Sequence, residues 1–436
     1  MIRLFLALAL SLSAVSAQAQ MEIQEITSPG GINAWLVQEE SIPFVAIEIV
    51  IDGGASLEDP AKRGATNLMT ALLEEGSGDL GAREFQEARE RIAASFGFSA
   101  YDDSISISAV FLTENRDEAM ALLRDALTKP RFDDAAIERV RAQVLSIIRS
   151  DAQDPNSIAS ATFDAAAFGD HPYGTSIDGT AESVAALTRD DLFEAHRNSL
   201  VQSRIYVGAS GDISADELGS LIDDLLGDLP MEGPAFPTRV EFGLGGGTTI
   251  VPFETPQSVA LFGQAGIERD DDDFFAAYLL NEILGGRGVE SRLMREVREK
   301  RGLTYGINTY LVPKTLAEVY LGSVASANGT IAEAISVVRD EWALMAKDGV
   351  SAVELDQAKT YLTGAYPLRF DGNAEIAGIL ASMQWTGLTP EYIINRNDFV
   401  NAVTLDDINR VAAELLDPDG LHFVVVGQPE GLEASD

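Results

Sequence analysis
The 436-residue chain has no cysteine, only three histidines, and 31 lysines and arginines against 69 aspartates and glutamates. Without cysteine there are no disulfides and no thiolate metal sites. His171, His196 and His422 never stand four apart, so no helix presents two imidazoles on one face. The formal net charge of −38 becomes −39 if Arg3 is removed with a leader, and it excludes nucleic acid as a partner, because no basic face is left to neutralise phosphates. Acidic runs such as Asp270 to Asp273 read as solvated surface, the alternative being a cavity lining that attracts cationic peptides. Past the first twenty residues no apolar run approaches the roughly 18 residues of a membrane span, so no membrane insertion is expected after the leader is removed.

With 46% hydrophobic residues the chain has ample material for more than one core. Residues 1–19 combine one cation, an apolar run from Leu4 to Val15 and the small-x-small sequence Ala17-Gln18-Ala19. They predict a secretory signal, and with it export to the periplasm. The remainder divides into residues 20–230, a Pro- and Gly-rich connector at 231–247, and residues 248–436. The two long parts echo each other. Leu187-Thr188-Arg189-Asp190-Asp191 matches Val403-Thr404-Leu405-Asp406-Asp407, and Val207 to Gly211 falls opposite Phe423 to Gly427, both at an offset of 216 positions. One constant shift across two motifs argues for duplication. Alternating runs such as Ser104 to Val110, interleaved with helical periodicities at 64–73, 82–95, 119–127 and 133–148, give two α+β domains of similar fold.

The densest signal is Gly285 to Gly306. Apolar residues at Val289, Leu293, Met294 and Val297 recur at helical spacing, and the basic Arg298, Lys300 and Arg301 before Gly302 complete a helix C-terminus. Leu303 to Tyr310 then alternates as a strand, so a tight turn can bring Arg298 and Tyr305, seven positions on, to one place. On Gly285, Gly286, Ser291, Arg292, Leu293, Arg298, Glu299, Lys300, Gly302, Leu303 and Tyr305 the chain resembles the insulinase, pitrilysin and mitochondrial processing peptidase family of zinc peptidases. The resemblance covers nearly the whole chain after the leader. It implies two domains, each a mainly antiparallel sheet packed with helices, facing each other as a clamshell. It also implies that Arg298 and Tyr305 reach substrate held at a zinc ion.

The first half lacks the other part of that pattern. An inverted zincin places two histidines and a general-base glutamate as H-x-x-E-H. The corresponding stretch, Gly64 to Ser77, keeps both outer glycines but has Asn67 and Ala71 at the histidine positions and Thr70 at the base. The distant glutamate ligand falls on Ile147, with Val140 at a companion acidic site. No zinc or other cofactor is therefore expected in this chain. Gly76 to Gly81 satisfies G-x-G-x-x-G but follows a helix, so it is no dinucleotide site, and there is no G-x-S-x-G elbow. Some members of the family divide labour between a zinc-bearing subunit and a paralogue that supplies the arginine and tyrosine. The resemblance thus implies a non-zinc subunit that works on peptides with a zinc-bearing H-x-x-E-H partner. An inactive structural or peptide-binding scaffold of the same fold is the other expectation, and an independent metallopeptidase would need a metal site the sequence does not display.

Overall fold
The computed structural model describes residues 22–286 and 291–435. The expected leader at 1–19 and the helix start at Val289 lie outside the described residues. Chain order gives β1 (Gln24–Thr27), β2 (Asn33–Gln38), β3 (Phe44–Asp52), a small hairpin of β4 (Gly76–Ser77) and β5 (Leu80–Gly81), β6 (Ser95–Ala100), β7 (Ser104–Leu112) and β8 (Ile205–Gly211). The second half contributes β9 (Gly247–Pro252), β10 (Gln257–Ala265), β11 (Ile307–Pro313), β12 (Glu318–Ala327) and β13 (His422–Gly427).

Two sheets result, ordered β1-β2-β8-β3-β7-β6 and β11-β12-β10-β13-β9. Read in the matching direction they share one plan. The pair β2–β8 is parallel, as is β9–β13, and the three following pairs are antiparallel in both sheets. The capping boxes repeat as well: Thr188 with Asp191, and Thr404 with Asp407, open helices that precede β8 and β13. Helix order is likewise repeated, Ala65–Leu72 matching Phe274–Gly285 and Asp134–Asp151 matching Ala352–Ala365.

Each half covers part of the other. The helix Pro155–Phe168 packs on β10 and β13, burying Ala159, Phe163 and Phe168 among Leu261, Val319, Val424 and Val426. In return Asn373–Trp385 packs on β2, β3 and β8, with Leu380 and Met383 against Trp35 and Val37. This explains why β3 reads as an almost unbroken apolar run: both faces are covered. A polar seam joins the halves. Tyr173 donates its hydroxyl hydrogen to Asp103 and accepts from the Leu316 amide at 3.1 Å, and Lys314 pairs with Asp102 at 2.6 Å.

Two expectations need correction. The helix expected over 82–95 ends at Arg91, because Ala93 takes a positive φ of 51° and Ser95 opens β6. The strand expected from Leu303 begins only at Ile307, because side chains replace the ladder there: Thr304 Oγ1 donates to the Ala325 carbonyl at 2.7 Å, and Ser326 Oγ bonds the Leu303 carbonyl.

Candidate functional site
In the first half the helix Ala65–Leu72 starts from Gly64, whose φ is 98° and where a Cβ would stand 2.7 Å from the Asp178 carbonyl oxygen. Arg63, buried beside it, donates to the carbonyls of Ser176, Pro172 and Thr175 at 3.1, 3.1 and 2.9 Å. The loop carrying Asp178 is thereby clamped to the helix. Asn67 donates from Nδ2 to Asp178 Oδ1 at 2.7 Å, and Asp178 is raised above the usual carboxylate range, chiefly by burial. Thr70 is buried, and its hydroxyl bonds the Thr66 and Asn67 carbonyls at 3.1 and 2.9 Å. Ala71 is exposed, Ile147 is half-exposed on the helix Asp134–Asp151, and Val140 is buried in the core.

Zinc does not fit these positions. An amide already bonded to a carboxylate, a hydroxyl turned to its own helix, a methyl and a branched alkyl group offer no set of nitrogen or carboxylate ligands. The nearby acids are engaged: Glu74 pairs with Arg89 at 2.6 Å, and Glu75 pairs with Arg139. Among the described residues no group of three or more His, Cys, Asp or Glu is placed to hold a metal. The histidines are engaged elsewhere: His171 Nδ1 accepts from the Tyr173 amide at 3.2 Å, His196 bonds the Leu127 carbonyl at 2.7 Å, and His422 sits between Thr249 and the Gly245 carbonyl, each at 3.0 Å.

The second-half motif is built differently. Residues Met294–Glu299 form one turn of π-helix, with the Lys300 amide donating to the Arg295 carbonyl at 3.0 Å, rather than the α-helix the spacing predicts. Such turns insert a residue and re-aim the side chains after it. The turn closes on Gly302, which has a φ of 64°. Among the described residues, four of the five basic side chains of the motif are paired. Arg292 grips Glu354 through Nε at 2.7 Å and Nη2 at 2.9 Å, while Arg295, Lys300 and Arg301 lie 3.5, 2.6 and 3.0 Å from Glu296. Bonding from Arg292 holds Glu354 down at about 2, and Lys300 foremost does the same for Glu296.

Arg298 is the fifth. Its side chain is exposed and meets no carboxylate or acceptor among the described residues. Tyr305 stands in the turn before β11, 87% exposed, with Thr304 pinning the backbone beside it. No hydrogen bond or ion pair among the described residues links either to Asn67, Thr70, Ala71 or Ile147. The two halves of the expected site therefore remain chemically separate within this chain.

A family profile described as "Insulinase (Peptidase family M16)" matches residues 34–181, and one described as "Peptidase M16 inactive domain" matches residues 186–362. The chain belongs to the insulinase family, peptidase family M16. Among similar M16 proteins, "Non-peptidase homolog YmxG" of Helicobacter pylori is 26% identical over 418 residues, 94% of each chain. "Uncharacterized zinc protease YmxG" of Bacillus subtilis is 25% identical over 404 residues, 91% of this chain and 96% of that one. A crystal structure from Pseudomonas fluorescens, described as a peptidase M16 inactive domain, superposes with a TM-score of 0.87 at 26% identity over 95% of this chain and all of the other. A protease from Helicobacter pylori shares the fold, with a TM-score of 0.83 at 18% identity.

What sequence reasoning missed in this M16 chain are the partners. Glu354 and Asp178 lie 62 and 111 positions from the residues they hold, Arg292 and Asn67, and no local period reports such contacts. The boxed Ser351-x-x-Glu354 cap was a legible signal for the first of them.

Proposed function
We propose that this chain is the non-zinc subunit of an exported, periplasmic peptidase, inactive alone and completed by a zinc-bearing paralogue with an intact H-x-x-E-H motif. Arg298 and Tyr305 enter the partner's site, where peptide is cleaved. The guanidinium can donate two parallel hydrogen bonds to a peptide backbone, and the phenol can donate one to the carbonyl oxygen that gains charge. The carrying observation is selective pairing: among the described residues of the motif, Glu354 and Glu296 take up every basic side chain except Arg298, which meets no acceptor there and stands seven positions before an exposed Tyr305. The name of the Helicobacter pylori relative and the lack of a metal-holding cluster among the described residues support the absence of independent hydrolysis. Co-expression with a zinc-bearing M16 partner tests this. Arg298→Ala and Tyr305→Phe should each lower turnover of the complex by about a hundredfold, the scale set by losing one oxyanion donor. Unchanged turnover in both variants overturns the shared site.

The second reading is a peptide-binding or structural scaffold, favoured by the "non-peptidase" name of that relative. A purified chain that forms only homodimers and captures no zinc-bearing relative supports the scaffold over the subunit.

A further inference from the structure
The second half has its own counterpart of the vanished metal site. The helices Phe274–Gly285 and Ala352–Ala365 stand where the first half has Ala65–Leu72 and Asp134–Asp151, and between them opens a cleft of about 290 Å3. Its walls carry Tyr278, Tyr310, Tyr361 and Tyr366, with Arg396 behind them and Arg369 at the side shared with an adjoining groove of about 630 Å3. Two arginines in one cleft stand out in a chain with 31 basic and 69 acidic residues.

Arg396 is the decisive group. It is only 5% exposed, on the helix Glu391–Ala402. Its guanidinium lies 4.7 Å from the Tyr366 ring centroid and 5.6 Å from that of Tyr278. Nη1 donates to the Leu362 carbonyl at 2.9 Å and to Asn397 at 3.2 Å, whereas Nε and Nη2 donate to nothing among the described residues. No carboxylate pairs with it there. A buried cation without an anion is costly, and cation–π contacts offset only part of that. Arg369 is exposed and likewise has no partner among the described residues. Glu282, the one carboxylate among the described lining residues, has contacts of its own.

We propose that this cleft binds the carboxy-terminal residue of a peptide, its carboxylate held by Arg396 and Arg369 and an apolar or aromatic side chain seated among the tyrosines. Guanidinium groups match a carboxylate's two oxygens, and the cleft's size suits about one residue, near the lower limit of small-ligand sites. The site is independent of Arg298 and Tyr305.

Calorimetric titration of the full chain with N-acetyl-phenylalanine, its carboxamide and N-acetyl-Gly-Gly-Phe bearing a free carboxylate tests the inference. Both acids should bind, and the amide at least tenfold more weakly. Binding of the small acid without the peptide reassigns the cleft to free acids and overturns the peptide reading. Equal binding of acid and amide, or no heat from any of the three, overturns the site. Arg396→Gln should abolish the preference for acid over amide. Because Arg396 is packed between rings, exposed Arg369→Gln provides the second arm, reducing that preference several-fold with an unchanged melting temperature. A packing defect alone would weaken acid and amide alike.

Discussion

The same helix pair on the same strand order carries opposite chemistry in the two halves. In the first, polar groups are matched to one another: Asn67 to Asp178, Thr70 to its own helix, Glu74 to Arg89 and Glu75 to Arg139. In the second, Arg298, Arg369 and two nitrogens of Arg396 meet no acceptor among the described residues, and Tyr305 projects from its turn. On the proposed reading, a duplicated scaffold is kept for packing in one copy and for recognition in the other. The first sheet still has structural work, since it forms the floor on which Asn373–Trp385 lies.

The sharpest way to break this contrast is to put a charge back into the closed half. Thr70→Glu places a carboxylate at the expected base position, where the present side chain is 2% exposed. It should cost about 3–4 kcal/mol, because the carboxylate is buried without a cation or metal to meet it. Denaturant midpoints with and without zinc provide the measure. A loss under about 1 kcal/mol, in the range of an ordinary surface change, would mean that the first-half site is open after all.

A smaller effect probes the reciprocal packing. Gly208 on β8 lets the helix Asn373–Trp385 come so close that a Cβ would stand 2.1 Å from the Ala377 carbonyl oxygen. Its counterpart 216 positions on is Val424, buried in β13 among Phe163 and Phe168. Gly208→Ala should therefore destabilise by overpacking, about 2–3 kcal/mol. Val424→Ala should destabilise by about 2 kcal/mol for the opposite reason, two lost methyl groups and the cavity they leave. If Gly208→Ala is neutral in thermal unfolding, the helix does not rest on the first sheet as described.

Much of this was legible in the sequence because it is local or repeated. The strand alternation at Ser104 to Val110, the paired Thr-x-x-Asp caps and the offset of 216 each register within a short window, and two M16-like domains follow from them. The lack of ligand side chains at positions 67, 70, 71 and 147 could be read directly from residue identity. Reach across the chain was not. Nothing local says that Asn67 meets Asp178, that Arg292 meets Glu354, or that Pro155–Phe168 covers the other half's sheet. The π-turn at Met294–Glu299 was hidden because its apolar positions satisfy an α-helical period nearly as well, and Tyr305 left the strand because Thr304 and Ser326 side chains replaced its ladder bonds.

The finest test lies on the crossing helix itself. Asp164 sits on Pro155–Phe168, and burial raises its carboxyl to about 6, with Asp102 adding to the rise and Lys314 opposing it. The unfolded value is near 4, so the folded state favours the proton, and the resulting stability is fully present below pH 4 and lost as the pH rises through 6. Asp164→Asn keeps the neutral form at every pH. Relative to the native chain it should gain about 2 kcal/mol at pH 7.5 and nothing at pH 3.5, a difference readable from urea midpoints across that window. An equal effect at both pH values would separate Asp164 from the buried seam.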